Sequence, residues 1–126
     1  MKSYGRVLIV DDSSTSRMII QRCIQMAGIP VADYLFAENG LEALAILKSN
    51  VGIDLVVTDV NMPKMDGKTF ATLLKGDPAT VGIAVAVVSS VVDSSLDEDL
   101  HSLGVACVVK KPLSPAKMLQ ALGGEA

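Results

Sequence analysis

Tryptophan is missing from this chain of 126 residues, and the aromatic residues together make up only 3% of it. Half of the residues are hydrophobic all the same, so the core has to be built from aliphatic side chains and alanine, which suits parallel strands covered by helices. Long apolar runs are lacking too. The longest near-continuous one, Val81 to Val88, falls far short of the roughly 20 residues that a membrane-spanning helix needs. The opening Met1-Lys2-Ser3-Tyr4-Gly5-Arg6 leads into an apolar run that stops at two aspartates, unlike a signal peptide. A cytoplasmic protein with no membrane partner is expected. Cys23 and Cys107 have no Cys-x-x-Cys spacing and lie among apolar neighbours, which reads as buried free thiols rather than a disulfide or a metal site. No Lys/Arg cluster offsets the formal charge of −3, which argues against direct binding to nucleic acid. The length fits one ordinary domain over residues 1–126, without room for a separate catalytic or DNA-binding module.

What is present is an alternation. Short runs rich in Val and Ile alternate about five times with segments of helical periodicity, the pattern of a parallel sheet wrapped on both faces. Val7 to Val10 reads as the first strand, followed by Ile19, Ile20, Cys23, Ile24 and Ala27 on one helical stripe. Gly28 and Pro30 end that helix. A second strand near Val31 to Ala37 leads to Asn39, which can cap a helix with Glu42 at its third position and Leu44 and Leu47 facing the sheet. The third strand, Ile53 to Thr58, delivers Asp59, and Pro63 and Gly67 break the turn before a helix carrying Phe70, Leu73 and Leu74. Val81 to Val88 reads as the fourth strand and ends in Ser89-Ser90. Asp93 can cap the next helix, with Leu96, Leu100 and Leu103, and its acidic start suits the helix dipole. Val105 to Val109 forms the fifth strand, followed by Lys110-Lys111-Pro112. Ser114-Pro115 then opens a last helix with Met118, Leu119 and Leu122 as its apolar stripe.

In an open parallel sheet, ligands bind outside the carboxyl ends of the strands at the topological switch point. There the first strand presents Asp11 and Asp12, the third Asp59, the fourth Ser89 and the fifth Lys110 or Lys111. Two carboxylates about 4 Å apart repel by roughly 4 kcal/mol at an effective dielectric near 20, so a cation belongs among them. A donor set of oxygens, with no His or Cys, suits Mg²⁺. Charge crowding also predicts that, without metal, losing either Asp11 or Asp12 stabilises the fold. With metal on one side and lysine on the other, a carboxylate can act as a nucleophile toward phosphorus.

Val7-Leu8-Ile9-Val10-Asp11-Asp12-Ser13-Ser14-Thr15-Ser16-Arg17, Thr58-Asp59-Val60-Asn61-Met62-Pro63-Lys64-Met65-Asp66-Gly67, Val88-Ser89-Ser90 and Lys111-Pro112 together resemble the response-regulator receiver family of bacterial two-component systems. The likeness runs the length of the chain and is strongest to the stand-alone chemotaxis-type members. It implies a flavodoxin-like, doubly wound sheet of five strands in the order 2-1-3-4-5 with five helices. It also implies a signalling switch that accepts a phosphoryl group from a histidine kinase, and not a turnover enzyme. On this resemblance Asp59 is the phosphoacceptor. Asp12 and Asp59 are direct Mg²⁺ ligands, Asn61 adds its backbone carbonyl, and Asp11 holds the ion through water. Ser89 reaches a phosphoryl oxygen after transfer, and Lys111 pairs first with Asp59 and then with the phosphoryl group. In the family the bond before the equivalent of Pro112 is commonly cis, and output to a protein target runs through the face of the fourth helix, fifth strand and fifth helix.

One residue departs from the family pattern: Val108 stands where Tyr or Phe is common, so an aromatic ring flip cannot report phosphorylation, and a movement of Ser89 and the following loop is the remaining candidate. Val91 occupies a position that the family associates with phosphoryl lifetime. Blander readings stand beside these. Asp11-Asp12 alone could be a solvated strand end or a helix cap, Asp66-Gly67 turn chemistry, Met62 and Met65 loop packing, His101 a surface residue and Lys110 a solvated neighbour. Two rival functions share the fold. One is a flavin carrier with Ser13 to Ser16 around the phosphate of FMN, which the two aspartates would repel. The other is a magnesium-dependent phosphatase, which would usually need a lid.

Overall fold

The computed structural model describes residues 2–60, 65–90 and 94–123. Strands and helices alternate as β1 (Tyr4–Val10), α1 (Ser14–Met26), β2 (Val31–Ala37), α2 (Gly40–Ser49), β3 (Ile53–Asp59), α3 (Gly67–Gly76), β4 (Ala84–Ser89), α4 (Ser94–Ser102), β5 (Cys107–Lys110) and α5 (Pro115–Leu122). All neighbouring strands pair in parallel, in the order β2-β1-β3-β4-β5, as the resemblance implies.

The period of a strand divides its side chains between two cores. Leu8 and Val10 join Val56, Val85 and Val87 on the face covered by Ala43, Leu47, Phe70, Ala71, Leu74 and Leu100 of α2, α3 and α4. Val7 and Ile9 join Leu55, Val57, Ala86 and Val88 on the face covered by Ile20, Cys23, Ile24, Met118 and Leu122 of α1 and α5. Phe70 is the largest fully buried side chain, and nearly everything around it is aliphatic, as the scarcity of aromatics requires.

Side-chain caps begin four helices: Ser13, Asn39, Asp66 and Ser114 each accept the backbone N–H three residues on. Asp66 is thus a helix cap as well as part of a turn. The cap expected of Asp93 lies outside the described residues. Helix α1 ends at Met26, with Gly28 beyond it at φ +76°, a backbone conformation that favours glycine.

Several expected boundaries shift. β1 starts earlier, at Tyr4, because the Asp54 carboxylate accepts the N–H groups of Gly5 and Arg6 and the Tyr4 N–H donates to the Pro30 carbonyl. β4 starts later, at Ala84. Asp77 to Ile83 fold into turns through Thr80 N–H and Val81 N–H to the Asp77 carbonyl, and Lys75 holds the carbonyls of Val81 and Ile83. β5 is confined to Cys107–Lys110, since the Val105 N–H is taken by the Leu100 carbonyl. Ile19, Leu73 and Leu119, expected on buried stripes, are exposed at 49%, 45% and 40%, because each lies at the edge of its stripe while a neighbour takes the central position. Cys23 is buried, whereas Cys107, on an edge strand, is only partly so. Among the described residues no helix is long and apolar enough to cross a membrane.

Candidate functional site at the strand ends

The crevice between β1 and β3 is where the strand order reverses, since the chain goes from β1 out to β2 and returns to β3 on the other side. Register then sets what meets there. Val10 pairs with Thr58, Asp59 with Val88, and Ser89 with Lys110, so Asp11, Asp59 and Ser89 end adjacent strands at nearly the same level. Oxygens of Asp11, Asp12 and Asp59 all lie within 4.8 Å of one another. Lys111 Nζ sits 3.3 Å from Asp59 Oδ2 and 3.8 Å from Asp11 Oδ2. Four of the residues singled out from sequence therefore converge, from three strand ends. Ser89 is buried beside them at the end of β4. Asn61 and Val91 lie outside the described residues, as does Met62.

The three carboxylates differ in setting. Asp11 is 1% exposed and Asp59 9%, whereas Asp12 faces solvent. Asp11 is held by the chain itself: the Ser13 N–H donates to its Oδ1 at 3.0 Å and the Ser16 hydroxyl to its Oδ2 at 2.6 Å. Arg17 Nη1 donates to its carbonyl at 2.6 Å, and its own N–H donates to the Ala37 carbonyl. Both Asp11 oxygens thus already accept a hydrogen bond. Asp59 has the Lys111 ammonium within hydrogen-bond distance.

Among the described residues, three carboxylates against one close ammonium leave an excess of negative charge at a site made of oxygen donors. That donor set fits a hard divalent cation of the Mg²⁺ kind, which takes carboxylates and keeps several waters. A flavin phosphate fits poorly, because the Ser13 hydroxyl is committed to the helix cap and the Ser16 hydroxyl to Asp11.

Lys111 is placed by its backbone: its N–H donates to the Ser89 carbonyl at 2.8 Å, and the Lys111-Pro112 peptide is cis. Lys110, the alternative lysine, belongs to β5 and is exposed. Gly67 is an addition that sequence reading assigned to a turn. A Cβ on it would lie 2.4 Å from the Asp59 carbonyl oxygen and 2.8 Å from Val60 Cα, so only glycine lets the start of α3 rest against the end of β3. Ser16 is another. The hydroxyl run Ser13 to Ser16 carries its signal, yet spacing alone assigns that run to capping, and only the fold shows which hydroxyl turns inward.

Val108 is half-buried and packs with Leu96 against the core on the α4 side, so the position is aliphatic and has no ring to flip. His101 is exposed on α4 and engaged with Asp97 of its own helix, in keeping with a surface residue.

A family model described as the response regulator receiver domain matches residues 7–123. Chemotaxis protein CheY1 of Helicobacter pylori is 31% identical over 119 residues, covering 93% of this chain and 93% of that protein. Sensor histidine kinase CheAY of the same organism is 49% identical over 67 residues, 52% of this chain but only 8% of the kinase. The match to its chemotaxis protein CheV3 likewise spans 36% of that protein. Among solved structures, the chain matched in the CheX-CheY-BeF3-Mg²⁺ complex from Borrelia burgdorferi superposes with a TM-score of 0.81 at 32% identity, over 94% of this chain and 86% of that one. By family model, relatives and fold alike, this chain belongs to the response regulator receiver domain family.

Proposed function

We propose that the chain is a single receiver domain acting as a phosphoryl-accepting switch, with Asp59 as the acceptor. The observation that carries this reading is the meeting of Asp59, nearly buried at the end of β3, with the Lys111 ammonium and the Asp11 and Asp12 carboxylates. An Asp59 carboxylate oxygen forms a bond to phosphorus while the bond from phosphorus to the donor breaks. The electron pair of that bond leaves with the donor, a histidine imidazole that takes up a proton or, with a small donor, acetate. Asp59 loses its charge as the acyl phosphate forms, and the Lys111 ammonium is placed to follow the charge onto the phosphoryl oxygens. Ser89 is assigned to donate its hydroxyl to one of those oxygens.

Asp12 and Asp59, with the backbone carbonyl of Asn61, would hold Mg²⁺ directly, and Asp11 through water. When bound, the ion supplies positive charge against the carboxylates and the incoming phosphoryl group. In support, the related Borrelia protein was solved in a complex with Mg²⁺. The donor is assigned to a histidine kinase, a class that includes the relative CheAY. Output is assigned to contact with a protein target through the face of α4, β5 and α5, in the cytoplasm, with no nucleic acid or membrane in the step. Turnover of external substrates is not assigned to this site.

Intact mass measurement with acetyl phosphate and Mg²⁺ tests the reading. The mass should rise by one phosphoryl group per chain, the rise should vanish with a chelator or in Asp59→Asn, and little further phosphate should be released. Labelling that persists in Asp59→Asn would assign the acceptor elsewhere, and steady release over many turnovers would favour a phosphatase.

A further inference from the structure

Lys117 stands third in α5, after Pro115 and Ala116. A cation in the first turn of a helix opposes the helix dipole, so its place calls for a physical reason. Its ammonium turns back and donates to the Pro112 carbonyl at 2.8 Å and the Lys110 carbonyl at 3.1 Å. Those carbonyls flank Lys111, the residue whose side chain reaches Asp59. Two further bonds make this arrangement definite. The Lys111 N–H is tied to the Ser89 carbonyl, which anchors the segment to the sheet, and the Ser114 hydroxyl accepts the Lys117 N–H at 3.1 Å, which sets where the Lys117 side chain begins. The segment from Lys110 to Ser114 is therefore gathered around one ammonium.

We propose that Lys117 is a positioning residue for Lys111: by holding the carbonyls on either side of it, Lys117 keeps the Lys111 ammonium within reach of the Asp59 carboxylate. The inference rests on the proposed function for its effect on phosphoryl transfer, but its structural part stands by itself. The two carbonyls lie at the surface, where water can replace a lost donor at little net cost to stability. Placement is more demanding, because a displacement of about 1 Å can slow a positioned reaction by as much as 10²-fold. Loss of Lys117 should thus loosen the segment and slow transfer while leaving the fold intact.

Lys117→Met keeps the aliphatic stem and removes the donors, and Lys117→Arg restores donors. Amide hydrogen exchange at Lys111 should quicken several-fold in Lys117→Met, return toward the wild-type rate in Lys117→Arg, and stay unchanged at Val109 in the strand. Labelling by acetyl phosphate should slow about tenfold in Lys117→Met, with Mg²⁺ affinity by calorimetry unchanged. Combined with Lys111→Met, the substitution should add nothing to the loss that Lys111→Met causes alone. Unchanged exchange at Lys111, or an equal further loss in the Lys111→Met background, overturns the proposal. If the wild type takes no label while Lys117→Met still quickens exchange at Lys111, the proposed function fails and the positioning contact holds.

Discussion

Asp11 and Asp12 are neighbours in sequence with different surroundings. Charge crowding treats them alike and predicts that removing either relieves repulsion. In the structure Asp12 is exposed, whereas Asp11 is buried and accepts from the Ser13 N–H and the Ser16 hydroxyl. Asp12→Ala in a chelator should therefore stabilise the fold by about 1 kcal/mol, for a relieved pair at high effective dielectric, and raise the melting temperature. Asp11→Ala should destabilise the fold by about 1–3 kcal/mol, because two part-buried donors lose their acceptor. Saturating Mg²⁺ should reverse the order for Asp12→Ala, since a ligand at 100 times its Kd stabilises the folded state by about 2.7 kcal/mol and the variant gives up part of that affinity. Thermal denaturation of both variants with and without Mg²⁺ checks all three outcomes. Val108→Tyr belongs at this scale as well. A ring at that place should enlarge the difference in α4 amide chemical shifts between phosphorylated and unphosphorylated protein, and equal shifts in variant and wild type would remove Val108 from the switch.

The joints between elements are where strand ends become a site. Gly67 opens α3 where an added Cβ would run into the carbonyl of Asp59, and Asp66 caps the same helix through the Thr69 N–H at 2.7 Å. These neighbours should separate in experiment. Asp66→Ala should cost about 1 kcal/mol of stability, as lost caps do, and leave labelling of Asp59 close to wild type. Gly67→Ala should push the end of β3 aside, lowering both the melting temperature and the labelling rate. Phosphorylation kinetics beside thermal melts would tell them apart. These elements are unevenly legible in the sequence, for physical reasons. β2 is legible because Pro30 and Asn39 bracket it, and the strand-end residues Asp11, Asp12, Asp59 and Ser89 can be listed because each ends an apolar run, whereas the choice of Lys111 over Lys110 rests on the family resemblance. The start of β4 is not legible, since Val81 is apolar yet turned to solvent by the turn at Asp77. The inward Ser16 and the folded-back Lys117 are not legible either, because both contacts depend on loops whose path only the packed sheet defines.

At the scale of the whole molecule, burial on the α1 and α5 side of the sheet moves the titration of a thiol and a phenol. Burial pushes the Cys107 thiol above 9.0, opposed by the Lys2 ammonium. It pushes the Tyr4 phenol above 10.0, with Cys107 and Asp54 adding to the effect, and the Tyr4 hydroxyl donates to the Leu122 carbonyl at 2.7 Å. Both folded-state values are raised, so folding favours the protonated forms. The stability they lend is complete below the unfolded values and falls as pH climbs past them. Melting temperature should be level through neutral pH and decline above about pH 9. The decline should be shallower in the Cys107→Ala, Tyr4→Phe double variant, and pH-dependent melts of the two proteins check this.

The sheet itself works as a bulkhead. It parts an upper hold around Phe70 from a lower one around Met118, and among the described residues the two share strands but no side chain. Phe70→Ala should cost about 3–5 kcal/mol and Met118→Ala about 2–5. Because the damaged cavities open on opposite sides of a wall of backbone, their costs in denaturant melts should sum to within about 0.5 kcal/mol, so that a lineage could repack one hold without retuning the other.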